Sequence, residues 1–405
     1  MKRIPFPKFG TGLGLHRVTA ISARLGIDLG AFGAGGAVIT GSNGKGSTAA
    51  MLASILRETG ERVGRFTSPH LFSLNERFAL DGEDIDDDDL ARHWRSVDEA
   101  ARDWLAGRDE QLGGFEFLFL IAASWFAARG ARYTVWEAGI GGRYDPTRLI
   151  RAQRVALVSL DLEHTEVLGA TLEQIAFDKM DAAPEGARVF LGESCAPLRE
   201  RIEAYAALRR LRTAFPEAPR LAPPLHGAHQ QNNAALARAL AQDIAHVSDA
   251  QIAAGLSRTR WPGRLEIISE TPLVVIDVGH TPEAVRTALA GFLAMAGTRP
   301  RVLVCGASYD KASAEIIALL APSFPHIICA SARHKGAPAG EIAKVAASVN
   351  AGAEITIAED LADARLLALA KAAGEGAVYV AGGLFLATEF KAVDLGLDPA
   401  ALDFF

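Results

Sequence analysis

Apolar and polar positions along the first two thirds of the chain predict strands and helices in alternation. Short apolar runs have the length of buried strands, and longer Ala- and Leu-rich stretches have helical spacing. The predicted strands are 38–40, 62–66, 76–80, 133–137 and 155–160, and the predicted helices are 12–25, 47–57, 90–105, 115–129, 172–183, 230–245 and 249–256. Such an alternation predicts a parallel sheet with helices on both faces.

A second alternation begins after the segment Trp-Pro-Gly-Arg at 261–264. Its predicted strands are 273–277, 301–305, 327–330, 354–358 and 378–381. We therefore expect two domains: a larger one at 1–260, a linker at 261–264, and a smaller α/β domain of about 140 residues at 265–405. Two segments of the larger domain need separate mention. The proline-rich segment 216–224 is predicted to be a loop, and the acidic segment 83–89 is predicted to be the solvated start of the helix at 90–105.

The most informative stretch is G-A-V-I-T-G-S-N-G-K-G-S-T at 36–48. A buried strand ends at Thr40, glycines and Lys45 follow, and Ser47 and Thr48 open a helix. Glycines let backbone N–H groups approach a phosphate, and the helix N-terminus and Lys45 add positive charge. Because only two residues separate Gly41 from Gly44, the spacing differs from the usual Walker motif. The order of elements favours a phosphate-binding loop over a Gly-rich surface turn that happens to contain a lysine.

Composition narrows the class of protein. The chain has 405 residues, 49% apolar and 22% charged, which is typical of a globular protein of two or three domains. A net charge of −6 argues against a nucleic-acid surface, and the longest apolar run, 117–128, is too short to span a bilayer. No signal peptide is visible, and the three cysteines have neither disulfide nor metal spacing. We expect a cytoplasmic protein with reduced, buried cysteines that binds neither nucleic acid nor membrane.

Three polar residues join Lys45 at the ends of predicted strands: Ser68, Glu137 and His164. Functional groups of open α/β sheets lie beyond the carboxyl ends of the strands, and a hydroxyl and a carboxylate near a phosphate loop suit Mg²⁺. The imidazole fits less well, because Mg²⁺ prefers oxygen ligands. Each residue alone has a simpler explanation. Ser68 could cap the turn before a proline, Glu137 could pair with Arg143, and His164 could be an ordinary loop histidine.

Three further residues have comparable positions. Lys179 lies on the helix after His164, where a lysine is usually exposed to solvent. Asp277 and His280 follow the first strand of the second domain in D-V-G-H-T-P, so they could reach into a cleft between the domains. The alternative for this pair is a turn stabilised by the aspartate, with a helix starting at the proline.

Together these segments resemble the folylpolyglutamate synthase/dihydrofolate synthase family of the Mur ligase superfamily. The resemblance covers nearly the whole chain and keeps the order of nine motifs. They are G-S-N-G-K-G-S at 41–47, T-S-P-H-L at 67–71 with N-E-R at 75–77, F-E-F-L at 115–118, E-A-G-I-G-G-R-Y-D at 137–145, L-E-H-T-E-V-L-G at 162–169, the lysine at 179, H-Q-Q-N-N at 229–233, W-P-G-R at 261–264 and D-V-G-H-T-P at 277–282.

The resemblance implies a fold and a set of roles. The fold is a P-loop parallel-sheet ATPase domain followed by a smaller Rossmann-like α/β domain. ATP would be held by the loop residues Gly41, Asn43, Gly44, Lys45, Gly46, Ser47 and Thr48, and by Asn233, Arg264 and Asp277. Mg²⁺ would be held by Ser68, Glu137 and His164, with a second ion at a carbamylated Lys179. Lys45, Lys179 and His280 would be the catalytic residues.

The implied reaction is ATP-dependent addition of L-glutamate to a folate or pteroate carboxylate. The carboxylate attacks the γ-phosphate, and the amino group of glutamate then attacks the resulting acyl phosphate. Positive groups are needed to offset the repulsion between two anions, and a closing cleft would protect the intermediate from water. The implied partners are ATP, glutamate and a folate-like acid, and we expect a monomer.

Some residues depart from the family pattern. Thr281 replaces an asparagine, Pro146 and Arg148 are unusual at their positions, and Ala228 replaces an arginine. An alternative is therefore a divergent ligase that joins a different carboxylic acid to an amino acid. A P-loop ATPase without ligase activity would leave Lys179, Asp277 and His280 without a purpose. A dinucleotide-dependent oxidoreductase is disfavoured because no G-x-G-x-x-G follows a strand of the second domain.

Overall fold

A computed structural model describes residues 4–217, 223–309, 313–402 and 404, and it contains two sheets. The first sheet has the strand order β4-β3-β2-β5-β1-β6-β7-β8. The strands are β1 Gly36–Thr40, β2 Val63–Phe66, β3 Phe78–Leu80, β4 Glu83–Asp84, β5 Tyr133–Glu137, β6 Arg154–Leu157, β7 Arg188–Leu191 and β8 Arg212–Ala214. From β2 to β8 all neighbouring strands are parallel, and β3 and β4 extend the sheet as an antiparallel ribbon.

Helices cover both faces of this sheet. They are α1 Leu15–Arg24, α2 Lys45–Arg57, α3 Asp87–Leu105, α4 Gly114–Arg129, α5 Thr165–Leu168, α6 Leu172–Met180, α7 Arg199–Leu208, α8 His229–Ala245 and α9 Asp249–Arg258. One apolar core, including Phe117 and Trp136, lies between the sheet and α1, α3, α4, α6 and α7. Another, including Leu52 and Leu240, lies under α2, α8 and α9. The predicted parallel sheet with helices on both faces is confirmed.

The second sheet has the order β13-β12-β11-β14-β10-β9 and is parallel except for β9, which pairs antiparallel with β10. Its strands are β9 Glu266–Glu270, β10 Leu273–Ile276, β11 Arg301–Cys305, β12 His326–Cys329, β13 Glu354–Ile357 and β14 Ala377–Ala381. Its helices are α10 Pro282–Ala296, α11 Ser313–Leu320, α12 Ala339–Val349, α13 Leu361–Ala372 and α14 Leu384–Asp394. Two apolar cores again lie on its two faces, as in an α/β fold.

Several sequence-based boundaries were wrong. The predicted strand 76–80 is shorter, because Leu74–Arg77 forms a 3₁₀ helix that Ser73 and Glu76 stabilise as a capping box. The acidic segment 83–89 begins with strand β4, and the helix starts at Asp87 behind an Asp86 cap. Helix α6 ends at Met180, and β6 ends at Leu157.

Some elements of the structure were not predicted, and one predicted loop lies partly outside the described residues. Strands β7, β8 and β9 and helix α7 had no counterpart among the predicted elements. The predicted loop 216–224 lies partly outside the described residues, because 218–222 are not described. Over the part of the chain that the structure describes, no helix has the length and apolar character needed to cross a bilayer.

Candidate active site

The glycine-rich loop connects β1 to α2. Gly41 has a φ of 137° and Gly44 a φ of 82°, a region that L side chains rarely adopt. A Cβ atom on Gly44 would lie 2.7 Å from Oδ1 of Asn233, and one on Gly46 would lie 2.5 Å from the Trp261 ring. Gly44 is therefore required both by its positive φ and by the lack of space for a side chain, and Gly46 is required by the lack of space. Helix α8, through Asn233, and the segment after α9, through Trp261, therefore contact the loop directly.

Lys45 begins α2, two residues earlier than predicted. Its Nζ donates hydrogen bonds to the carbonyl oxygens of Gly41, at 2.7 Å, and of Ser42, at 3.1 Å. The ammonium group therefore lies over the concave side of its own loop. The first N–H groups of any helix have no acceptor within it, so this end of α2 offers donors as well as a full positive charge. An anion such as a phosphate fits that arrangement.

Strand order explains why the other predicted groups lie near the loop. Strands β2, β5, β1 and β6 are parallel neighbours, so their carboxyl ends meet at one edge of the sheet. The backbone N–H of Ser68, after β2, donates to Oε2 of Glu137, at the end of β5, over 2.9 Å. The loop after β6 is tied to the phosphate loop because Ser159 Oγ accepts from Asn43 N at 2.8 Å.

Glu137 is a buried carboxylate with 4% of its surface exposed. Burial raises its pKa, and the charge of Lys45, the Ser68 amide and the charge of Arg264 oppose that shift. Arg143, the alternative partner predicted for Glu137, instead pairs with Asp181, with 2.7 Å between Nε and the carboxylate. No ion pair to Glu137 occurs among the described residues, so its charge faces the phosphate loop with only hydrogen-bond and long-range compensation. Such an oxygen donor fits a hard divalent cation.

His164 is placed differently from the other groups. It precedes α5 in a left-handed conformation, with φ 45°, and its ring is 41% exposed. Its Nδ1 lies 3.9 Å from Glu166 Oε1. In the described ranges, no set of three or more His, Cys, Asp or Glu side chains is arranged to hold a metal ion. Of the residues predicted to bind Mg²⁺, Ser68 and Glu137 are joined by the hydrogen bond described above.

Lys179 is buried, contrary to the usual position of a helix lysine. It is 2% exposed, and its Nζ donates to Oε1 of Glu163 at 2.7 Å. Burial, reinforced by the charge of Lys45, lowers the pKa of Lys179. Burial acts to raise the pKa of Glu163, but Lys45 and Lys179 outweigh it and the net pKa is lowered. The sequence analysis missed Glu163, although it directly precedes His164 in the quoted motif.

The second sheet brings Asp277 and its neighbours to the same region. Asp277 accepts from Gly279 N at 2.7 Å and from Leu265 N at 3.0 Å, so it stabilises the turn as the simpler alternative predicted. Burial raises the pKa of Asp277 and lowers that of Arg264, and each charge opposes the shift of the other. His280 Nδ1 lies 3.4 Å from the carbonyl oxygen of Val278.

Thr281 connects the two halves of the molecule. Its hydroxyl caps α10 by accepting from Ala284 N at 3.3 Å, and it lies 3.5 Å from Oδ1 of Asn43 in the phosphate loop. The segment after α9 contacts the first half through Trp261, whose ring centroid lies 5.0 Å from the guanidinium carbon of Arg65. The residue that departs from the family pattern is therefore in contact with the loop itself.

The segment 138–145, after β5, is held by two buried aspartates. Asp145 accepts from the N–H groups of Gly139 and Ile140, at 2.9 and 3.2 Å, and burial raises its pKa to about 6. Asp178, beside Lys179, accepts from Gly142 N at 3.0 Å. Pro146 begins a 3₁₀ helix, Pro146–Ile150, at a position where its missing N–H costs nothing.

The remaining predicted nucleotide-binding residues are in or against the loop. Asn233 donates to Gln230 Oε1 at 2.9 Å while packing on Gly44. Ser47 and Thr48 are buried in the first turn of α2, and Thr48 Oγ1 is buried without a hydrogen-bond partner. Arg65, Asp178 and Asp181 were missed by the sequence analysis. Each needs the folded structure to find its partner, although Arg65 precedes a strand-end motif.

Comparisons with known proteins agree with this architecture. Residues 263–384 match the family described as Mur ligase, glutamate ligase domain. The chain is 33% identical over 383 residues to a probable bifunctional folylpolyglutamate synthase/dihydropteroate synthase of Halobacterium salinarum, covering 87% of this chain but only 46% of that protein. It thus spans about half of that longer relative. It is 32% identical over 316 residues to the dihydrofolate synthase/folylpolyglutamate synthase of Bacillus subtilis, covering 69% of this chain and 71% of that one.

Solved structures are similar over almost the whole length. E. coli FolC in complex with DHPP and ADP superposes with a TM-score of 0.84 at 26% identity, covering 95% of this chain and 94% of that one. A bifunctional folylpolyglutamate synthase/dihydrofolate synthase with Mn, AMPPNP and L-glutamate bound gives a TM-score of 0.82 at 27% identity, covering 96% and 95%. The two-domain α/β fold with a parallel-sheet first half is therefore confirmed.

Proposed function

Because this chain belongs to the dihydrofolate synthase/folylpolyglutamate synthase family, we propose that it is an ATP-dependent ligase that adds L-glutamate to a folate or pteroate carboxylate. The observation that carries the proposal is the arrangement around Lys45. A phosphate loop, a buried carboxylate and a buried lysine meet at the carboxyl edge of one sheet, and Thr281 reaches them from the second half.

The proposed chemistry has two steps. The substrate carboxylate attacks the γ-phosphate of ATP, forming an acyl phosphate and releasing ADP. The glutamate amino group then attacks the acyl carbon, and phosphate leaves with the C–O electron pair. Lys45 and the N–H groups at the start of α2 would hold the transferred phosphoryl group and offset the repulsion between the two anions. Mg²⁺ at Ser68, Glu137 and His164 would add positive charge between the phosphates.

The other residues have proposed positions around the nucleotide. Asn233 and Gly44 pack together beside the loop, and we place the nucleotide next to them. Arg264 and Asp277 are proposed to approach it from the second half, and His280 to lie where phosphate and amino acid meet. We further propose two domains, 1–260 and 265–405, joined at 261–264, in a monomeric, cytoplasmic enzyme. Three buried free cysteines, Cys195, Cys305 and Cys329, suit a reducing compartment.

A substrate panel tests the proposed function. Dihydropteroate, tetrahydrofolate and unrelated carboxylic acids are each offered with ATP, Mg²⁺ and L-glutamate, and ADP release is measured. We expect release only when an acid and glutamate are both present, with one of the two pteridine acids preferred. If ADP were released with an unrelated acid and glutamate but with neither pteridine acid, the protein would instead be a ligase for a different carboxylate. Release with no acid or amino acid would contradict ligase activity.

Lys179 is proposed to carry a carbamate that helps to hold a second metal ion. The neutral amine attacks CO₂, the N–C bond forms, and a proton leaves to solvent. Burial and Lys45 favour the neutral amine because they lower the pKa of Lys179. The carbamate would replace the ammonium that now pairs with Glu163, and two anions would then face each other. A cation between them would relieve that repulsion.

We expect turnover to fall several-fold in CO₂-free buffer and to recover when bicarbonate is added. Since a neutral amine is required, the dissolved CO₂ needed for half-maximal activation should decrease as pH rises through the lowered pKa of Lys179. The measurement is the ADP release rate against dissolved CO₂ at several pH values. Lys179→Ala is the control, and it should be slow and indifferent to CO₂. A wild-type rate that ignores CO₂ would rule out the carbamate.

A further inference from the structure

A cavity of about 310 Å³ lies on the first half of the molecule, away from the phosphate loop. Its walls include Arg148, Arg151, Arg209 and Glu185. Arg151 comes just before β6, Glu185 just before β7 and Arg209 just before β8. Because these strands are parallel, the segments that precede them meet at the amino edge of the sheet. The phosphate loop follows the carboxyl end of β1, so the cavity is at the opposite end.

Positive charge is in excess around this cavity. Arg209 and Arg143 share one carboxylate, that of Asp181, which also accepts from Tyr205 Oη at 2.9 Å. Within the described part of the chain, Arg148 Nη1 donates to a neutral acceptor, the Arg143 carbonyl oxygen, at 2.8 Å. Burial first, and then the charges of Arg148 and Arg143, lower the pKa of Arg209.

The remaining charges do not neutralise the excess. Glu185 lines the cavity and pairs with the exposed Arg210 at 2.7 Å. Within the described ranges, neither Arg148 nor Arg151 has an ion-pair partner. The lining of the cavity therefore carries three guanidiniums, those of Arg148, Arg151 and Arg209, against the one carboxylate of Glu185. Positive charge exceeds negative charge along the cavity wall.

We propose that this cavity binds a small oxyanion carrying two or three negative charges, such as a phosphate ester or a polycarboxylate. Guanidinium groups have a planar fork of donors that matches carboxylate and phosphate oxygens. The volume is at the lower end of the range of small-molecule sites, which excludes a ligand as large as a dinucleotide. The site does not depend on the ligase reaction, because none of its residues is part of the proposed nucleotide or metal site.

The test measures binding of citrate and of inorganic phosphate by calorimetry. Lys45→Ala serves as the background, so that anion binding at the phosphate loop is weakened. We expect saturable binding of at least one of the two anions, with one ion per chain. Arg148→Gln and, separately, Arg151→Gln should each weaken it by about tenfold or more, since each removes a charge-assisted hydrogen bond.

Arg95→Gln is the control, because Arg95 is an exposed arginine on α3 that does not line the cavity. The affinity of this variant for citrate and phosphate should stay close to that of the Lys45→Ala protein. Binding of phosphate alone would identify a phosphate site, and binding of citrate would identify a carboxylate site. Absence of saturable binding of both anions, or an equal loss in Arg95→Gln, would overturn the proposal. Neither result would bear on the ligase assay, which uses separate substrates.

Discussion

Lys45→Ala is expected to lower the rate of ADP-forming turnover by about 10²–10³-fold, the scale of losing one preorganised charge at a reacting oxyanion. The Lys45 ammonium lies over the loop, held by the carbonyl oxygens of Gly41 and Ser42. Its charge also acts on the carboxylates of Glu137 and Glu163. Without the Lys45 charge, the phosphates of ATP would approach the carboxylates of Glu137 and Glu163 with less positive charge to offset the repulsion.

The measurement is kcat at saturating ATP, glutamate and acid, together with the dissociation constant of ADP. The fold should persist, because α2 is buried through its apolar residues and the Lys45 ammonium donates its hydrogen bonds to carbonyl oxygens of its own loop. Lys344→Ala, an exposed lysine on α12, is the control and should match the wild-type rate. Substantial ligation by the Lys45→Ala protein, with an intact melting transition, would contradict the role proposed for the loop.

Glu137→Gln is expected to raise the Mg²⁺ concentration for half-maximal activity by about tenfold or more. The substitution keeps an oxygen that can accept from Ser68 N, but it removes the charge that a divalent cation requires. The protein should remain folded, since a neutral amide avoids the cost of burying an ionised carboxylate. An unchanged Mg²⁺ titration would remove Glu137 from the set of ligands.

The pH dependence gives this prediction a second readout. Burial raises the pKa of Glu137 above its ordinary value of 4.5, so the folded state holds the proton more tightly than the unfolded state. Stability from this group is therefore lost as pH rises through the raised pKa, whereas Mg²⁺ binding improves over the same window as the carboxylate ionises. Both dependences should disappear in Glu137→Gln. Glu341→Gln, an exposed carboxylate on α12, should leave both unchanged.

Predictions from the sequence succeeded best where the signal was local. The strand, glycine-rich loop and helix were predicted in the right order because they follow one another within 36–48. Glu137 and Ser68 were found because each ends a recognisable apolar run, and parallel strands place such ends together. The failures were local too. Segment 76–80 has the alternation of a strand, but the capping box formed by Ser73 and Glu76 bends its first residues into a 3₁₀ turn.

The burial of Lys179 could not be predicted from the residues around it in the sequence. A lysine late in an amphipathic helix is normally solvated, and nothing within α6 indicates that this one is buried. It is buried because the loop after β6 brings Glu163 to within 2.7 Å of it. The same applies to Arg143, which finds Asp181 rather than Glu137, and to Thr281, which reaches Asn43 from the other half of the chain.

The amino-acid sequence was enough to predict the alternation of strands and helices, the glycine-rich loop after β1 and the polar residues at the strand ends. These features depend on side-chain periodicity and on backbone conformation within a few residues. Only the folded structure shows the strand order β2-β5-β1-β6, the pairing of Lys179 with Glu163 and the guanidiniums around the cavity at the amino edge of the first sheet. Those features arise when segments distant in the chain pack together, and the charge each residue then meets belongs to its neighbours in space.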